Sequence, residues 1–182
     1  MRNKIVLLGS TLAIALAAGS AEAQKPFSFG IAGGVSMPQG KYGDIAGNGY
    51  HATAALGLGL PLVPVGLRIE GSYNRFALSD EMEAVVGESG SWSLASATAN
   101  LTYSLPLPAV VLSPYVIAGA GMYMGNCSMD NCDSQSDLGY NAGVGLKFKA
   151  LVFSAYAEAR YHSVQTEGES TNYMPITIGF MF

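Results

Sequence analysis

The chain is poor in the residues that make a surface soluble. Only 12% of its 182 side chains are charged, while 49% are hydrophobic. Soluble domains carry about 25% charged residues, so water alone is a poor match for this surface. Lys and Arg form no cluster, which excludes nucleic acid as a partner. There are only two cysteines, Cys127 and Cys132. Beyond residue 23 no apolar run is long enough for a membrane helix. The greasiest stretch, 52–69, is broken by Pro61 and Pro64, and Leu56, Leu58 and Leu60 recur at period two, not at helical spacing.

What is present begins with an export signal. Arg2 and Lys4 precede the apolar run 5–18, and Ala21-Glu22-Ala23 is a small-x-small site before Gln24. This predicts a secretory signal peptide over 1–23, cleaved after Ala23. The mature chain of 159 residues suits one domain, and its 7 basic and 12 acidic side chains give it a net charge of −5.

The mature chain alternates. In the last twelve residues Ile176, Ile178, Phe180 and Phe182 share one face, with Thr177 and Gly179 on the other. Seven earlier segments, 27–35, 50–60, 65–76, 92–105, 112–124, 138–149 and 151–162, also read as strands. Segment 112–124 has no clear facing, because both sets of residues are apolar or Gly, and a bulge is possible near Trp92. The connections alternate long and polar (36–48, 77–90, 126–137, 163–170) with short and Pro-, Leu- or Ala-based. The rhythm predicts an all-β fold: an eight-stranded antiparallel up-and-down transmembrane barrel, both termini at one rim and the long loops outside.

Charge placement sets the expected orientation. Asp44, Asp80, Glu81, Glu83, Glu88, Asp130, Asp133, Asp137, Glu167 and Glu169 fall in the long loops. Only Glu70 and Glu158 fall within strands, each two residues from an arginine on its own face, Arg68 and Arg160. Lys147 and Lys149 share the equivalent face of their strand. The second face is otherwise small or polar and would line a narrow polar lumen, while the large aliphatic and aromatic side chains meet lipid. Tyr50, Tyr103, Tyr161, Tyr173 and Trp92, near strand ends, suit interfacial girdles.

This order of segments resembles the small eight-stranded outer-membrane β-barrel proteins, the group of the OmpA transmembrane domain, OmpX and the opacity-type proteins. The carrying stretches are FSFGIAGGVSMPQGKYGD, SPYVIAGAGMYM, GYNAGVGLKF, EARYH and the terminal ITIGFMF. The resemblance implies residence in the outer membrane, with loops that vary in role: adhesion, surface shielding, or none assigned. It also implies that the terminal aromatics, Phe180 and Phe182, are read by the assembly machinery. An end at Phe182 implies that no peptidoglycan-binding domain follows.

Arg68, Glu70, Glu158 and Arg160, with Lys147, are expected to form an ion-pair network across the lumen, because charges at membrane depth must be paired or hydrated. A plug is preferred to a gate, since eight strands enclose just enough room for side chains. Cys127 and Cys132, in an oxidising compartment, are expected to close a small disulfide ring at a loop tip. Asp130, Asp133 and Asp137 fit no cation loop and read as solvated, so no metal or cofactor is expected. His162-Ser163 with Glu158 or Glu167 raises a lipid-modifying hydrolase. Adjacent strand residues face opposite ways, which disfavours it. The expected role is structural or surface interaction. Partners would be membrane lipid, lipopolysaccharide reached through bridging cations, and a host or surface ligand at the loops, with the chain a monomer. A narrow porin is the alternative.

Overall fold

A strand with two unlike faces must bury one and pair both its edges, and a sheet that closes on itself pairs every edge. The structure, a computed structural model, describes residues 27–59, 64–79, 91–105, 112–127, 135–149, 153–166 and 170–182. Eight strands follow in order: β1 (Phe27–Gln39), β2 (Ala46–Gly59), β3 (Val65–Leu78), β4 (Ser91–Ser104), β5 (Leu112–Cys127), β6 (Gln135–Lys149), β7 (Ser154–Gln165) and β8 (Ser170–Met181). Each pairs antiparallel with its sequence neighbours, and β8 pairs with β1 to close the barrel. The chain end extends that seam: Phe29 N donates to Phe182 O at 3.1 Å, and Phe182 N donates to Phe29 O at 2.7 Å.

The register fixes the stagger. Stepping across the ladders from Phe29 leads through Leu56, Ile69, Ala99, Ala120, Tyr140, Ser163 and Asn172 back to β1 at Gln39, ten residues further along. Eight strands with a shear of ten tilt by about 40° from the barrel axis. A 14-residue strand such as β3 then rises roughly 35 Å, which exceeds the ~25 Å apolar band of such barrels. The excess lies at the rim opposite the termini, called here the far end. There β1 runs on to Gln39, β2 starts at Ala46, β5 reaches Cys127, β6 starts at Gln135 and β7 reaches Gln165. Residues 36–39 and 46–48 of the first polar stretch, and 126–127 and 135–137 of the third, are therefore sheet. Their alternation fades because the inner positions there include small or polar residues such as Ser36, Ala46 and Gly125, yet the backbone ladder continues. A short helix, α1 (Lys41–Ile45), joins β1 to β2 after Gly40, whose φ of 62° only glycine adopts freely. Asp137 lies in β6 and Asp44 in α1, which corrects the assignment of both to loops.

The two faces separate cleanly. Ile31, Leu56, Ile69, Leu101, Val144, Leu146, Ile176 and Ile178 are exposed on the outer wall; Arg68, Glu70, Asn100, Asn141, Glu158, Arg160 and Thr177 are buried inside. Strand β5 is no longer ambiguous: Tyr115, Ile117 and Tyr123 point inward, Val116, Met122 and Met124 outward. No register shift occurs at Trp92; the irregularity lies between Ala46 and Gly49.

Two expectations need correction. Tyr173 is 1% exposed and sits inside, and Trp92 is partly buried against an inner cluster, so neither belongs to an outer girdle. Nor is the inner face merely small and polar: Phe76, Leu94, Tyr115, Ile117, Tyr123, Tyr156, Val164 and Tyr173 are all buried there. Glycines make the room. Gly145, Gly179 and Gly49 lie directly across the ladder from Tyr115, Tyr156 and Phe76, and a Cβ on any of the three would overlap the facing ring.

Candidate functional site

The lumen is the chemically distinctive part of the molecule, and it is filled in layers. The lowest layer follows from two short patterns, Arg68-x-Glu70 on β3 and Glu158-x-Arg160 on β7. The period of a strand puts both members of each pair on one face. Strands four apart in an eight-stranded ring lie opposite one another and run in the same direction. The charge order on the two is reversed, so each arginine meets a glutamate across the lumen.

The result is a closed ring of four charges. Arg68 Nη2 lies 2.5 Å from Glu158 Oε2, and Arg160 Nη1 lies 2.6 Å from Glu70 Oε2. Along each strand, Arg68 Nε is 3.0 Å from Glu70 Oε1 and Arg160 Nε is 2.6 Å from Glu158 Oε1. These two Nε contacts are charge contacts without hydrogen-bond alignment. All four side chains are at most 7% exposed. Neighbours complete the shell: Tyr115 OH donates to Glu158 Oε2 at 2.6 Å, Asn100 Nδ2 donates to Glu70 Oε2 at 2.7 Å, and the Arg68 guanidinium lies 5.1 Å from the Tyr156 ring centre. Lys147 stands apart from the ring, its Nζ 5.6 Å from the centre of the Tyr115 ring.

Above the ring comes a hydrogen-bonded layer. Asn141 Nδ2 donates to Asn100 Oδ1 at 2.9 Å. A second chain crosses four strands. Ser36 Oγ donates to Asn74 Oδ1 at 2.8 Å and lies 3.0 Å from His51 Nδ1, whose Nε2 is 3.0 Å from Thr177 Oγ1. With its hydroxyl proton given to Asn74, Ser36 accepts from His51 Nδ1–H, and Nε2 accepts from Thr177. A neutral imidazole satisfies the whole chain.

The far end is apolar and aromatic. Ala46, Phe76, Leu94, Tyr123, Val164 and Tyr173 form one cluster, with Tyr42 of α1 and Trp92 packed against it. Phe76 takes Tyr42 and Tyr173 edge-on, at 5.7 and 5.8 Å between centroids. Burial pushes the Tyr42 phenol above its ordinary range. His162 stacks on Tyr173 at 4.7 Å, and its Nδ1 meets Tyr123 OH at 2.9 Å and Tyr173 OH at 3.2 Å.

Comparison with known proteins agrees with this geometry. The family model for the outer membrane protein beta-barrel domain matches residues 8–182. The chain belongs to the outer-membrane β-barrel domain family. In fold it is similar to Neisserial surface protein A, at 14% identity and a TM-score of 0.67 over 86% of this chain and 96% of that one. It is also similar to a major outer membrane protein from Thermus thermophilus, at 13% identity and a TM-score of 0.55 over 86% and 98%. No curated protein matches the sequence.

The outer wall is thus the lipid-facing surface of an outer-membrane protein. Aromatic side chains stand on it at both ends: Phe27, Tyr103, Phe148, Phe180 and Phe182 at the termini end, and Tyr50, Tyr73, Tyr140 and Tyr161 on the far half. Phe153 packs against Phe180 and Phe182 at 5.9 and 6.5 Å. Ile178, 63% exposed and the ninth of the twelve residues of β8, tests this face. We expect Ile178→Arg to destabilise the bilayer-embedded barrel by about 2–4 kcal/mol in urea titrations, and Ile178→Leu to change it little.

Among the described residues, which do not include Glu167, the hydrolase geometry does not assemble. His162 presents Nδ1 to two phenols, and Ser163 occupies the adjacent, oppositely directed position of β7. Glu158 is engaged in the ion ring. Ala23 and Cys132 lie outside the described residues, as does the Cys127 side chain, so the cleavage site and the disulfide remain expectations.

Proposed function

We propose that this protein is an integral outer-membrane barrel with a sealed lumen, whose role is structural or is exercised by its far-end surface. The observation that carries this reading is the filling of the interior in series by the ion ring, the amide and imidazole layer and the aromatic cluster. Eight strands enclose little more than side chains can fill. Here two arginines and several aromatic rings take up that space. In this reading a signal peptide is cleaved after Ala23, the termini end faces the periplasm and the acidic loops face outward. Phe180 and Phe182, closing the β8–β1 seam, are what the assembly machinery engages. Cys127 and Cys132 close a ring that stiffens one loop.

Planar-bilayer recording of the refolded mature chain tests the seal. The expected trace shows no discrete conductance steps at neutral pH in molar salt. A stable unitary conductance that persists when Arg68 and Glu158 are both neutralised would overturn it in favour of a narrow channel.

A further inference from the structure

On the termini side of the ion ring the barrel opens into a vestibule of about 470 Å³, within the size range of small-ligand sites, about 300–1,000 Å³. Arg68, Lys147, Tyr115 and Thr102 lie in its lining, along with Ser28 and Ser154. Met181 lines it as well, and Phe27, Leu58, Leu67, Phe153 and Phe182, on the outward face of their strands, border its mouth, so the cavity is cationic with an apolar border. Its charge is unbalanced. The ring is neutral by itself, two arginines against two glutamates. Glu158 takes Arg68 and Tyr115 on Oε2 and a charge contact from Arg160 on Oε1. Lys147 adds a positive charge that no carboxylate among the described residues pairs. It is half-buried, and its contact is with the Tyr115 ring. Lys149, exposed on the same face of β6, adds a second positive charge nearer the rim.

A half-buried ammonium that no carboxylate pairs favours an anion brought from outside. We propose that the vestibule is a binding site for an oxyanion of the phosphate class, held by Lys147 with Arg68 behind it. The apolar border of the mouth, on the lipid-facing wall, suits a phosphate that carries a hydrocarbon tail, and a free phosphate has the same polar chemistry. The site lies outside the sealed layers, so it stands or falls independently of the conductance result.

The test is inorganic phosphate titrated into the mature chain in phosphatidylcholine nanodiscs at low ionic strength, followed by amide NMR. Saturable shifts are expected at Gly57, Gly66, Thr102 and Ser154, fading as salt screens the charge. Lys147→Gln weakens binding by about tenfold, Lys147→Arg retains it, and Lys149→Gln changes it by less than about twofold. Discs containing phosphatidylglycerol separate the sources. If an anionic lipid phosphate is the occupant, free phosphate no longer shifts these amides in those discs. If the free ion is the ligand, both discs titrate alike. Absence of saturable shifts in the phosphatidylcholine discs, shifts that map away from the vestibule, or an unchanged Lys147→Gln titration overturns the proposal. The wild-type map locates the anion even if Lys147→Gln fails to fold.

Discussion

Glu158→Gln lowers the unfolding free energy of the bilayer-embedded barrel by about 3–5 kcal/mol, read from urea titrations followed by Trp92 fluorescence and by heat-modifiable gel migration. The Glu158 side chain is 0% exposed and answers two guanidiniums and one phenol. Glutamine keeps the shape and removes the charge. Two arginines then share one carboxylate, and a net positive charge is left in an interior that solvates it poorly. The loss is large because what remains is unpaired, not because the intact ring contributes that much.

The reversed charge order of the two strands offers a sharper version of the same experiment. Exchanging the pair on β3, Arg68→Glu with Glu70→Arg, sets like charge against like at both levels. The barrel should then fold poorly or not at all. Adding the reverse exchange on β7, Glu158→Arg with Arg160→Glu, restores opposite charges across the lumen and should recover most of the loss. Tyr115 and Asn100 each donate to a glutamate in the native arrangement, so recovery stays incomplete. A four-residue exchange no more stable than the two-residue one would mean that the charges do not act as cross-lumen pairs.

The sequence carries the wall of this barrel more fully than its filling. Outward residues alternate against small ones, and the hydrophobic difference survives in one dimension, as in Leu138 to Phe148 or Ile176 to Phe180. Arg68 with Glu70 and Glu158 with Arg160 are likewise visible as same-face neighbours. Their meeting across the lumen depends on the shear, which belongs to cross-strand register and leaves no trace in a single strand. Strand β5 was unreadable because Ile117 points in while Val116 and Ala118 point out, so both faces look apolar. The inner aromatics were hidden for a related reason. Tyr115, Tyr156 and Phe76 occupy space supplied by Gly145, Gly179 and Gly49 on neighbouring strands, and a reading strand by strand sees a small residue and a large one, not the pair. The far-end strand extensions leave little alternation in the sequence, because buried inner positions such as Ser36 and Ala46 are small or polar, although the backbone has no reason to stop pairing.

Phe76→Ala tests whether the aromatic layer is a second seal. Phe76 is 0% exposed, and its ring takes Tyr42 and Tyr173 edge-on within the far-end cluster. Truncating it leaves a void that a pinned barrel wall cannot collapse into, so a loss of about 3–5 kcal/mol is expected in the same urea titrations. Conductance should nevertheless stay at baseline, because the ion ring still closes the lumen below. Neutralising the ring alone, with Arg68, Glu70, Glu158 and Arg160 all changed to glutamine, should also leave the trace flat, because Phe76, Tyr123 and Tyr173 still close it above. Barriers in series pass current only when each one is open, so conductance steps are expected when Phe76→Ala is combined with ring neutralisation. Steps from the neutralised ring alone would show that the aromatic cluster leaks and that the charges are the whole seal. Steps from Phe76→Ala alone would show that ions pass a fully charged ring, and the plug would then have to be sought in the rings at the far end.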